Sequence, residues 1–340
     1  VGAYVDRFER ELQAVTGVQH AVATCNGTAA LHICLLLAGV TPGDEVLLPA
    51  LTFVATANAV AYAQATPHFV DSEAQSLGVD AQRLSDYLAR IAMRVDGHCV
   101  NRATGRVIRA LVVMHVFGHP ADLDALDAVA QHWGLVLIED AAESLGSYYK
   151  GRHTGHVGRL AALSFNGNKV VTTGGGGAVL TNDLALARRA KHLTTTARVA
   201  HRWNFVHDEV GYNYRLPNLN AALGCAQLEQ LPGLLSRKRT LATRYAEAFA
   251  DFAGGHMLAE PPQTQGNFWL NALMLDAADA AARDQVLDAL NAAGYMSRPV
   301  WTLMHKLPMF STCPRMDLDV AELLESRVIN LPSSARLAGA

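Results

Sequence analysis

Cysteine is scarce in this sequence, and its spacing does not suggest metal binding. The 340 residues include five cysteines, an odd number, and no two of them form a C-x-x-C pair. This usage argues against a zinc site or a disulfide framework and favours a reducing compartment. We therefore expect a cytoplasmic protein without a metal site, whose cysteines are mostly core residues; they are Cys25, Cys34, Cys99, Cys225 and Cys313.

An excess of positive charge is also absent. Charged residues make up 17% of the chain and the formal net charge is −3, so the composition does not indicate binding to nucleic acid or to an anionic membrane. No apolar run has membrane-spanning length, and the longest, residues 29–40, is interrupted by His32. Residues 1–11 carry charge throughout and do not resemble a signal peptide. Because the chain starts without methionine in an amphipathic helical pattern, we expect a further N-terminal segment.

Half of the residues are hydrophobic, which is enough for a large core. Short apolar runs alternate with helical patterns over the first two thirds of the chain, which predicts an α/β fold with right-handed crossovers. Residues 135–138 form a continuous apolar run, as expected of a central parallel strand. We place a domain boundary at Pro232-Gly233. The prediction is a large domain, 1–232, with a mainly parallel sheet, and a smaller C-terminal α+β domain, 233–340.

Lys169 lies between an apolar run and the four-glycine tract Gly174-Gly-Gly-Gly177. Glycines are used where a backbone bends sharply or approaches another group closely. An amine held there, partly away from water, loses its proton more readily and becomes a nucleophile. On these residues alone, a surface lysine on a hairpin is an equal alternative.

Three other positions are candidates for binding a ligand. Gly27 and Thr28 begin a helix after the N-cap candidate Asn26, and free N–H groups at a helix N-terminus bind anions such as phosphate. Phe53 falls at a strand-to-helix turn, either as core or as an aromatic face for a ligand. Asp140 ends the central strand, where ligands collect in α/β folds, although it is also a possible helix N-cap.

The segment 194–215 is long, polar and aromatic, which is typical of a functional loop. Its His201, His207 and Asp208 match no standard metal-site spacing. Gly174 to Gly177 do not form the G-x-G-x-x-G pattern, because position 179 is Val, and Lys169 lacks the Gly-Lys-Ser/Thr core of a P-loop.

An anion site, an aromatic face, a buried acid and a lysine together match the requirements of pyridoxal phosphate. Its phosphate needs N–H donors, its ring a flat partner, its pyridine nitrogen a carboxylate and its aldehyde an amine. The sequence therefore predicts pyridoxal phosphate as the cofactor, held by residues near Gly27, Phe53, Asp140 and Lys169.

The chain resembles the DegT/DnrJ/EryC1/StrS sugar aminotransferases, which are fold type I pyridoxal-phosphate enzymes. The resemblance runs from Val1-Gly-Ala-Tyr-Val-Asp-Arg-Phe-Glu9 to Asn330-Leu-Pro332. Its specific motifs are Asn26-Gly-Thr-Ala-Ala-Leu31, Pro49-Ala-Leu-Thr-Phe53, Ile138-Glu-Asp-Ala-Ala142, Ser164-Phe-x-x-x-Lys169 and Gly211-Tyr-Asn-Tyr-Arg-Leu216. Three stretches are similar to the branch that makes bacillosamine and legionaminic acid precursors: 165–177, 192–196 and 298–305.

The resemblance implies a role for each matching residue. Lys169 would bond covalently to the cofactor aldehyde, and Asp140 would pair with the ring nitrogen. Phe53 would stack on the ring, while the phosphate would be held by Gly27, Thr28, Ser164 and, from the partner subunit of a homodimer, Asn213. Glu143 stands near the ring where many relatives carry Gln or His, which leaves its role open.

The resemblance also implies a reaction. Glutamate would donate an amine to C4 of a UDP-linked 4-keto-6-deoxy-N-acetylhexosamine, in the biosynthesis of surface polysaccharide, bacillosamine or nonulosonic acid. The alternatives are another ketosugar, including an eight-carbon keto-sugar acid, and a dehydratase of the same fold, although such relatives carry histidine in place of the lysine. Substrate contacts are assigned by position to Arg202, Trp301 and His305, and Trp301 is equally well placed as core.

Overall fold

The computed structural model describes residues 2–339; Val1 and Ala340, with which the two expected domains begin and end, lie outside the described residues. Within 2–339 the chain forms ten α-helices and eighteen β-strands. The helices are α1 Ala3–Thr16, α2 Gly27–Leu37, α3 Val54–Tyr62, α4 Ala81–Ile91, α5 Leu123–Trp133, α6 Leu184–Thr194, α7 Asn218–Glu229, α8 Leu231–Ala248, α9 Ala280–Ala292 and α10 Asp319–Arg327. The strands are β1 His20–Thr24, β2 Glu45–Pro49, β3 Thr66–Val70, β4 Ala92–Val95, β5 His98–Asn101, β6 Val107–Met114, β7 Val136–Asp140, β8 Tyr148–Tyr149, β9 Arg152–His153, β10 Leu160–Ser164, β11 Gly177–Thr181, β12 Arg198–Val199, β13 Val206–His207, β14 Gly255–Met257, β15 Thr264–Gln265, β16 Asn271–Leu275, β17 Arg298–Pro299 and β18 Val328–Leu331.

The main sheet has the order β1-β11-β10-β7-β6-β2-β3, with the hairpin β4–β5 attached to β6. Strands β10, β7, β6, β2 and β3 are parallel to one another, and β11 is antiparallel to both of its neighbours. The apolar run at 135–138 lies in β7, in the middle of this order, where four of its five residues are fully buried. The predicted α/β fold with a mainly parallel central sheet is confirmed.

The carboxyl ends of the parallel strands meet at one edge of the sheet, and the predicted site residues follow them. Phe53 comes after β2, Asp140 ends β7, and Ser164 ends β10 with Lys169 shortly behind it. Side chains alternate between the two faces of a strand, so Glu139 and Asp140 point in opposite directions. Glu139 turns away from the cavity described below, and its carboxylate accepts hydrogen bonds from the backbone N–H groups of residues 155, 157 and 158.

The C-terminal part builds a sheet of its own, in the order β14-β16-β18-β17. Pro232 and Gly233 lie in the first turn of α8, so the chain crosses the predicted boundary as a helix. Every strand of the main sheet precedes this point and every strand of the four-stranded sheet follows it, which supports a division here. The division into domains stays a prediction, because a continuous apolar core also joins residues of both parts.

Candidate active site

A cavity of about 310 Å³ lies at the carboxyl edge of the main sheet. Seven of the eight predicted cofactor residues line it: Gly27, Thr28, Phe53, Asp140, Glu143, Ser164 and Lys169. A larger cleft, about 710 Å³, lies between residues 73–85 and 261–264 and contains no predicted site residue. The smaller cavity is therefore the candidate active site.

The N-terminus of α2 forms one end of the cavity. Asn26 caps the helix through its side-chain oxygen, which accepts a hydrogen bond from the Ala29 N–H at 2.7 Å. The backbone here packs too closely to admit a side chain at position 27, because a Cβ would lie 2.8 Å from Ser164 Cβ. The free N–H groups of the first turn and the Ser164 hydroxyl form a cradle of the kind that binds phosphate.

The glycine tract packs against this same cradle. A Cβ on Gly177 would lie 2.4 Å from the Asn26 carbonyl oxygen, and Gly175 and Gly176 line the cavity. The sequence indicates a sharp bend or a close approach here without naming the group approached. Within this chain they allow β11 to lie directly beside the start of α2.

Asp140 is buried at the floor of the cavity. Its carboxylate accepts hydrogen bonds from the Thr56 hydroxyl at 2.7 Å and from the Ala142 N–H at 3.2 Å. Burial raises the pKa of Asp140, and these two hydrogen bonds together with the nearby Lys169 oppose the rise. A buried carboxylate without a cation bonded to it suits a ligand that brings a positively charged ring nitrogen.

The Lys169 amine lies between a carboxylate and an aromatic ring. Its Nζ is 3.3 Å from Glu143 Oε1 and 3.8 Å from the centroid of the Trp269 ring. The second oxygen of Glu143 accepts a hydrogen bond from the Phe117 N–H at 3.0 Å. Burial raises the pKa of Glu143 to about 7, although the charge of Lys169 acts in the opposite direction.

Aromatic side chains close the cavity. Phe53 is half exposed and lies edge-on to Trp301, with ring centroids 6.4 Å apart. Trp301 also packs on Phe117 at 5.0 Å, so it is both a wall of the cavity and part of the core beside it. Both alternatives considered for Trp301 therefore apply to its position, while its contact with substrate stays a prediction.

Three predicted residues lie outside the cavity of their own chain. Asn213 and Arg202 are exposed, and the Arg202 guanidinium stacks on Trp203 at 4.9 Å. His305 is mostly buried and lies 3.3 Å from a carboxylate oxygen of Glu322. The roles assigned to these residues stay predictions.

The histidines of the segment 194–215 are engaged with protein groups. His201 Nδ1 accepts from the Asn204 N–H at 2.9 Å, and His207 Nδ1 lies 2.7 Å from the Thr196 carbonyl oxygen. Asp208 pairs with His192 at 2.7 Å, beside Glu209, which forms an ion pair with Arg189. This group of acids and histidine is exposed and already contains a cation, so it is typical of a surface ion-pair network.

The sequence did not identify several residues that line the cavity, among them Thr56, Met114, Asn168 and Trp269. Thr56 follows Phe53 by three residues. Its nearness to that predicted site residue is the sequence signal that could have identified its hydroxyl as a donor to the buried Asp140. Trp269 lies a hundred residues beyond Lys169, and the sequence around it does not indicate a contact with the lysine.

The sequence pattern of the DegT/DnrJ/EryC1/StrS aminotransferase family matches residues 1–340. The chain belongs to this family. Its members are sugar aminotransferases that depend on pyridoxal phosphate, so the protein is an enzyme of that kind. The cradle, the buried Asp140 and the Lys169 amine in one cavity fit this cofactor. Within residues 2–339 no helix is both long and apolar enough to cross a membrane.

Relatives of this family share most of the chain. GDP-perosamine synthase of Caulobacter vibrioides is 36% identical over 99% of this chain and 86% of its own length, and that of Escherichia coli O157:H7 is 36% identical over 98% and 85%. EpsN of Bacillus subtilis, described as a putative pyridoxal phosphate-dependent aminotransferase, is 35% identical over 99% and 84%. Among solved structures, DesV of S. venezuelae is 30% identical with a TM-score of 0.87, covering 99% of this chain and 85% of that protein.

Proposed function

We propose that the protein transfers an amino group from glutamate to C4 of a nucleotide-linked 4-keto-6-deoxyhexose. The observation that carries this proposal is that Lys169 and Asp140, 29 residues apart in sequence, line one cavity beside the N-terminus of α2. Family membership supplies the reaction class, and the cavity supplies a place for each part of pyridoxal phosphate. Bound there, the cofactor contributes an aldehyde that reacts with amines and a ring that withdraws electrons from the carbon beside them.

Residues of the chain would bind the cofactor, transfer protons and exclude water. Gly27, Thr28 and Ser164 would bind the phosphate, and Asp140 would keep a proton on the ring nitrogen. Lys169, as a neutral amine, would carry a proton from one carbon to the next at its Nζ, which is general acid–base catalysis. Phe53 and Trp301 would exclude water from the reacting atoms. The contact of Lys169 with Glu143 gives that amine a nearby proton acceptor.

Two observations bear on the identity of the nucleotide, and they favour different nucleotides. Similarity of stretches 165–177, 192–196 and 298–305 to the bacillosamine and legionaminic acid branch favours a UDP-linked 4-keto-6-deoxy-N-acetylhexosamine. The relatives named GDP-perosamine synthase, 36% identical over nearly the whole chain, favour a GDP-linked sugar as a second candidate. Both substrates leave the proposed chemistry at Lys169 unchanged.

A role in polysaccharide biosynthesis accords with a further relative. SpsC of Bacillus subtilis, named a spore coat polysaccharide biosynthesis protein, is 35% identical over 74% of this chain and 63% of its own length. Aminosugars are components of such surface polymers. A dehydratase of the same fold is disfavoured, because Lys169 is present where those relatives would carry histidine.

We propose that the active form is a homodimer in which the sites are shared. Asn213 and Arg202 are exposed on the segment that contains the hairpin β12–β13, away from their own cavity. Large apolar side chains of this segment are also exposed: Trp203 by 66%, Phe205 by 78% and Val210 by 81%. A group of exposed apolar residues indicates a contact surface, and a partner subunit would place Asn213 near the phosphate cradle.

The test begins with the purified protein and pyridoxal phosphate. We expect visible absorption of the bound cofactor, its bleaching by glutamate, and the loss of both in Lys169→Ala. Incubating the glutamate-treated enzyme with a panel of UDP- and GDP-linked ketosugars then identifies the acceptor, as the sugar whose addition restores the original absorption. A protein that binds no pyridoxal phosphate would refute the proposal, and turnover of GDP-linked sugars alone would refute the UDP assignment.

A further inference from the structure

A second cavity of about 410 Å³ adjoins the candidate active site. Its walls include Arg237 and Lys238 of α8, Arg336 of the C-terminal segment, and the backbone around Lys169. We refer to it as the basic cavity. Asn168, Lys169 and Trp269 line both cavities, so the two are separated by the catalytic lysine and its aromatic neighbour.

The charge of the basic cavity is of one sign. Arg237, Lys238 and Arg336 contribute three cationic side chains, and no aspartate or glutamate lines it in the part of the chain that the structure describes. None of these three side chains takes part in an ion pair within residues 2–339. Three cations that share a concave surface without an acid attract anions strongly.

Lys238 is the buried member of this set, with only 6% of the residue exposed. Its ammonium donates to the carbonyl oxygens of Trp269 at 3.1 Å and Ser333 at 2.7 Å. An ammonium has three protons to donate, and among the described residues only these two acceptors are bonded. Burial lowers the pKa of Lys238 to about 8, because no carboxylate compensates for its lost hydration. An anion beside it would offset that cost.

We propose that the basic cavity binds a small oxyanion, a phosphate or carboxylate group of a metabolite, through Arg237, Lys238 and Arg336. The two arginines are exposed and offer planar pairs of donors that match both kinds of oxyanion. Lys238 supplies an amine at the wall, held in place by its two carbonyl partners. This site is separate from the phosphate cradle, which lies at the other cavity beside Gly27 and Thr28.

Trp269 lies between the basic cavity and Lys169 and contacts both. The carbonyl oxygen of Trp269 is bonded to Lys238, and its ring lies 3.8 Å from Lys169 Nζ. Its indole N–H donates to the Asn168 carbonyl oxygen at 2.8 Å, next to the lysine in sequence. Lys238 and Lys169 therefore contact the same residue, one through its carbonyl oxygen and the other through its ring.

The experiment titrates inorganic phosphate, and separately citrate, which is a carboxylate but not a keto-acid product of the proposed reaction, into protein already saturated with pyridoxal phosphate, so that the cradle at Gly27 is filled. Binding is followed by calorimetry and by the melting temperature, against sodium chloride at equal ionic strength. The test variant is the double substitution Arg237→Gln and Arg336→Gln, both at exposed positions. Arg244→Gln is the matched control, because Arg244 lies on the same helix but does not line the cavity.

We expect saturable binding to the wild type, weakened by about tenfold or more in the double variant and unchanged in Arg244→Gln. Tighter binding of citrate would identify the natural group as a carboxylate, and tighter binding of phosphate would identify it as a phosphate. Equal binding by wild type and double variant, or stabilisation no greater than that by chloride, would overturn the proposal. A protein that binds no pyridoxal phosphate would refute the proposed reaction. The comparison of the arginine variants would still decide whether the basic cavity binds an oxyanion.

Discussion

Asp140 and Glu143 are two buried carboxyl groups, three residues apart, that line the same small cavity. Asp140 is bonded to a hydroxyl and a backbone N–H, and Glu143 to a backbone N–H and the Lys169 amine. Burial raises the pKa of both, which means that the cofactor-free protein disfavours their charged forms. A bound ligand that carries positive charge would therefore stabilise the charged forms of these two carboxyl groups.

Asp140→Asn tests the first of these groups. The amide keeps the shape of the side chain but cannot hold a proton on a ring nitrogen, so we expect kcat/KM for glutamate to fall by roughly 100-fold or more. Because the structure already disfavours the charge of Asp140, the melting temperature of the cofactor-free variant should not fall. Thr56→Val, which removes one donor and keeps the carboxylate, should have the smaller kinetic effect. A wild-type rate in Asp140→Asn would exclude the proposed role.

Glu143 predicts a pH dependence of stability in the cofactor-free protein. Its pKa rises from an ordinary value of 4.5 to about 7, so between these values the folded protein keeps a proton that the unfolded chain loses. The resulting stabilisation is complete below pH 4.5 and is lost as the pH rises through 7.

The free energy of unfolding, measured in urea, should therefore fall between pH 5 and 8 by on the order of 2 kcal/mol more in the wild type than in Glu143→Gln. The glutamine variant retains an acceptor for the Phe117 N–H, which makes it the appropriate reference. Parallel pH profiles in the two proteins would show that Glu143 does not titrate in this range.

The start of α2 and the glycine tract before β11 act together as one structural element. Asn26 caps the helix, while the backbone of Gly177 passes so close to Asn26 that no side chain fits between them. The cradle for phosphate is thus shaped by a strand from a distant part of the sequence as well as by its own helix.

Gly177→Ala should disturb this contact. A Cβ 2.4 Å from the Asn26 carbonyl oxygen forces the two segments apart, and we expect a loss of about 2 kcal/mol of stability and weaker binding of pyridoxal phosphate. Gly175→Ala is the matched control in the same tract, since its nearest neighbour, the Cys25 carbonyl oxygen, lies 4.0 Å away. Urea denaturation of both cofactor-free variants measures the difference, and equal losses in the two would contradict the close approach at Gly177.

The molecule as a whole combines a main sheet, a C-terminal four-stranded sheet and an exposed apolar hairpin. The first provides the cavity, and the C-terminal part contributes Trp269 and Trp301 to its walls. The hairpin β12–β13 contributes nothing to the cavity of its own chain, in accordance with a role in a partner subunit.

Co-expression of Lys169→Ala with Asn213→Ala tests the shared site. Each homodimer should be impaired, while a mixed dimer has one site with both residues intact, so random pairing should restore about a quarter of the wild-type activity. The Lys169→Ala subunit co-expressed with the double variant Lys169→Ala, Asn213→Ala is the control and should restore none. Failure of the mixed dimers to recover activity, with dimerisation confirmed by light scattering, would place Asn213 outside the partner's site.

The sequence was sufficient to predict the residues that follow strands of the main sheet. Asp140, Ser164 and Lys169 each stand at or just after a short apolar run, and parallel strands bring such positions to one edge. The same reasoning failed for Trp269, because its placement depends on the path of the chain after α8. Strand β16 begins at Asn271, beyond Trp269, and Phe268 adopts a left-handed backbone conformation, φ 49°, that no local pattern indicates.

The hairpin β4–β5 was also missed. Its strands, Ala92–Val95 and His98–Asn101, have only four residues each, and half of the eight residues are exposed, so the sequence shows no clear apolar alternation there. Strand geometry predicts that the side chains of Glu139 and Asp140 point to opposite faces of the sheet. It does not predict that Glu139 accepts hydrogen bonds from residues 155–158. Contacts of that kind depend on tertiary packing rather than on period or propensity.

The pairing of β1 with β11 has a consequence for co-translational folding of the enzyme. Residues 20–24 can join the sheet only after residues 177–181 have been made, since β11 is their sole neighbour in the sheet order. Pairing over so long a separation is slow to form, because the intervening chain must first be brought together. The strand that leads into the helix start at Gly27 is therefore fixed in the sheet only late in synthesis. A nascent chain released before residue 181 should capture no pyridoxal phosphate, even though Lys169 is already present.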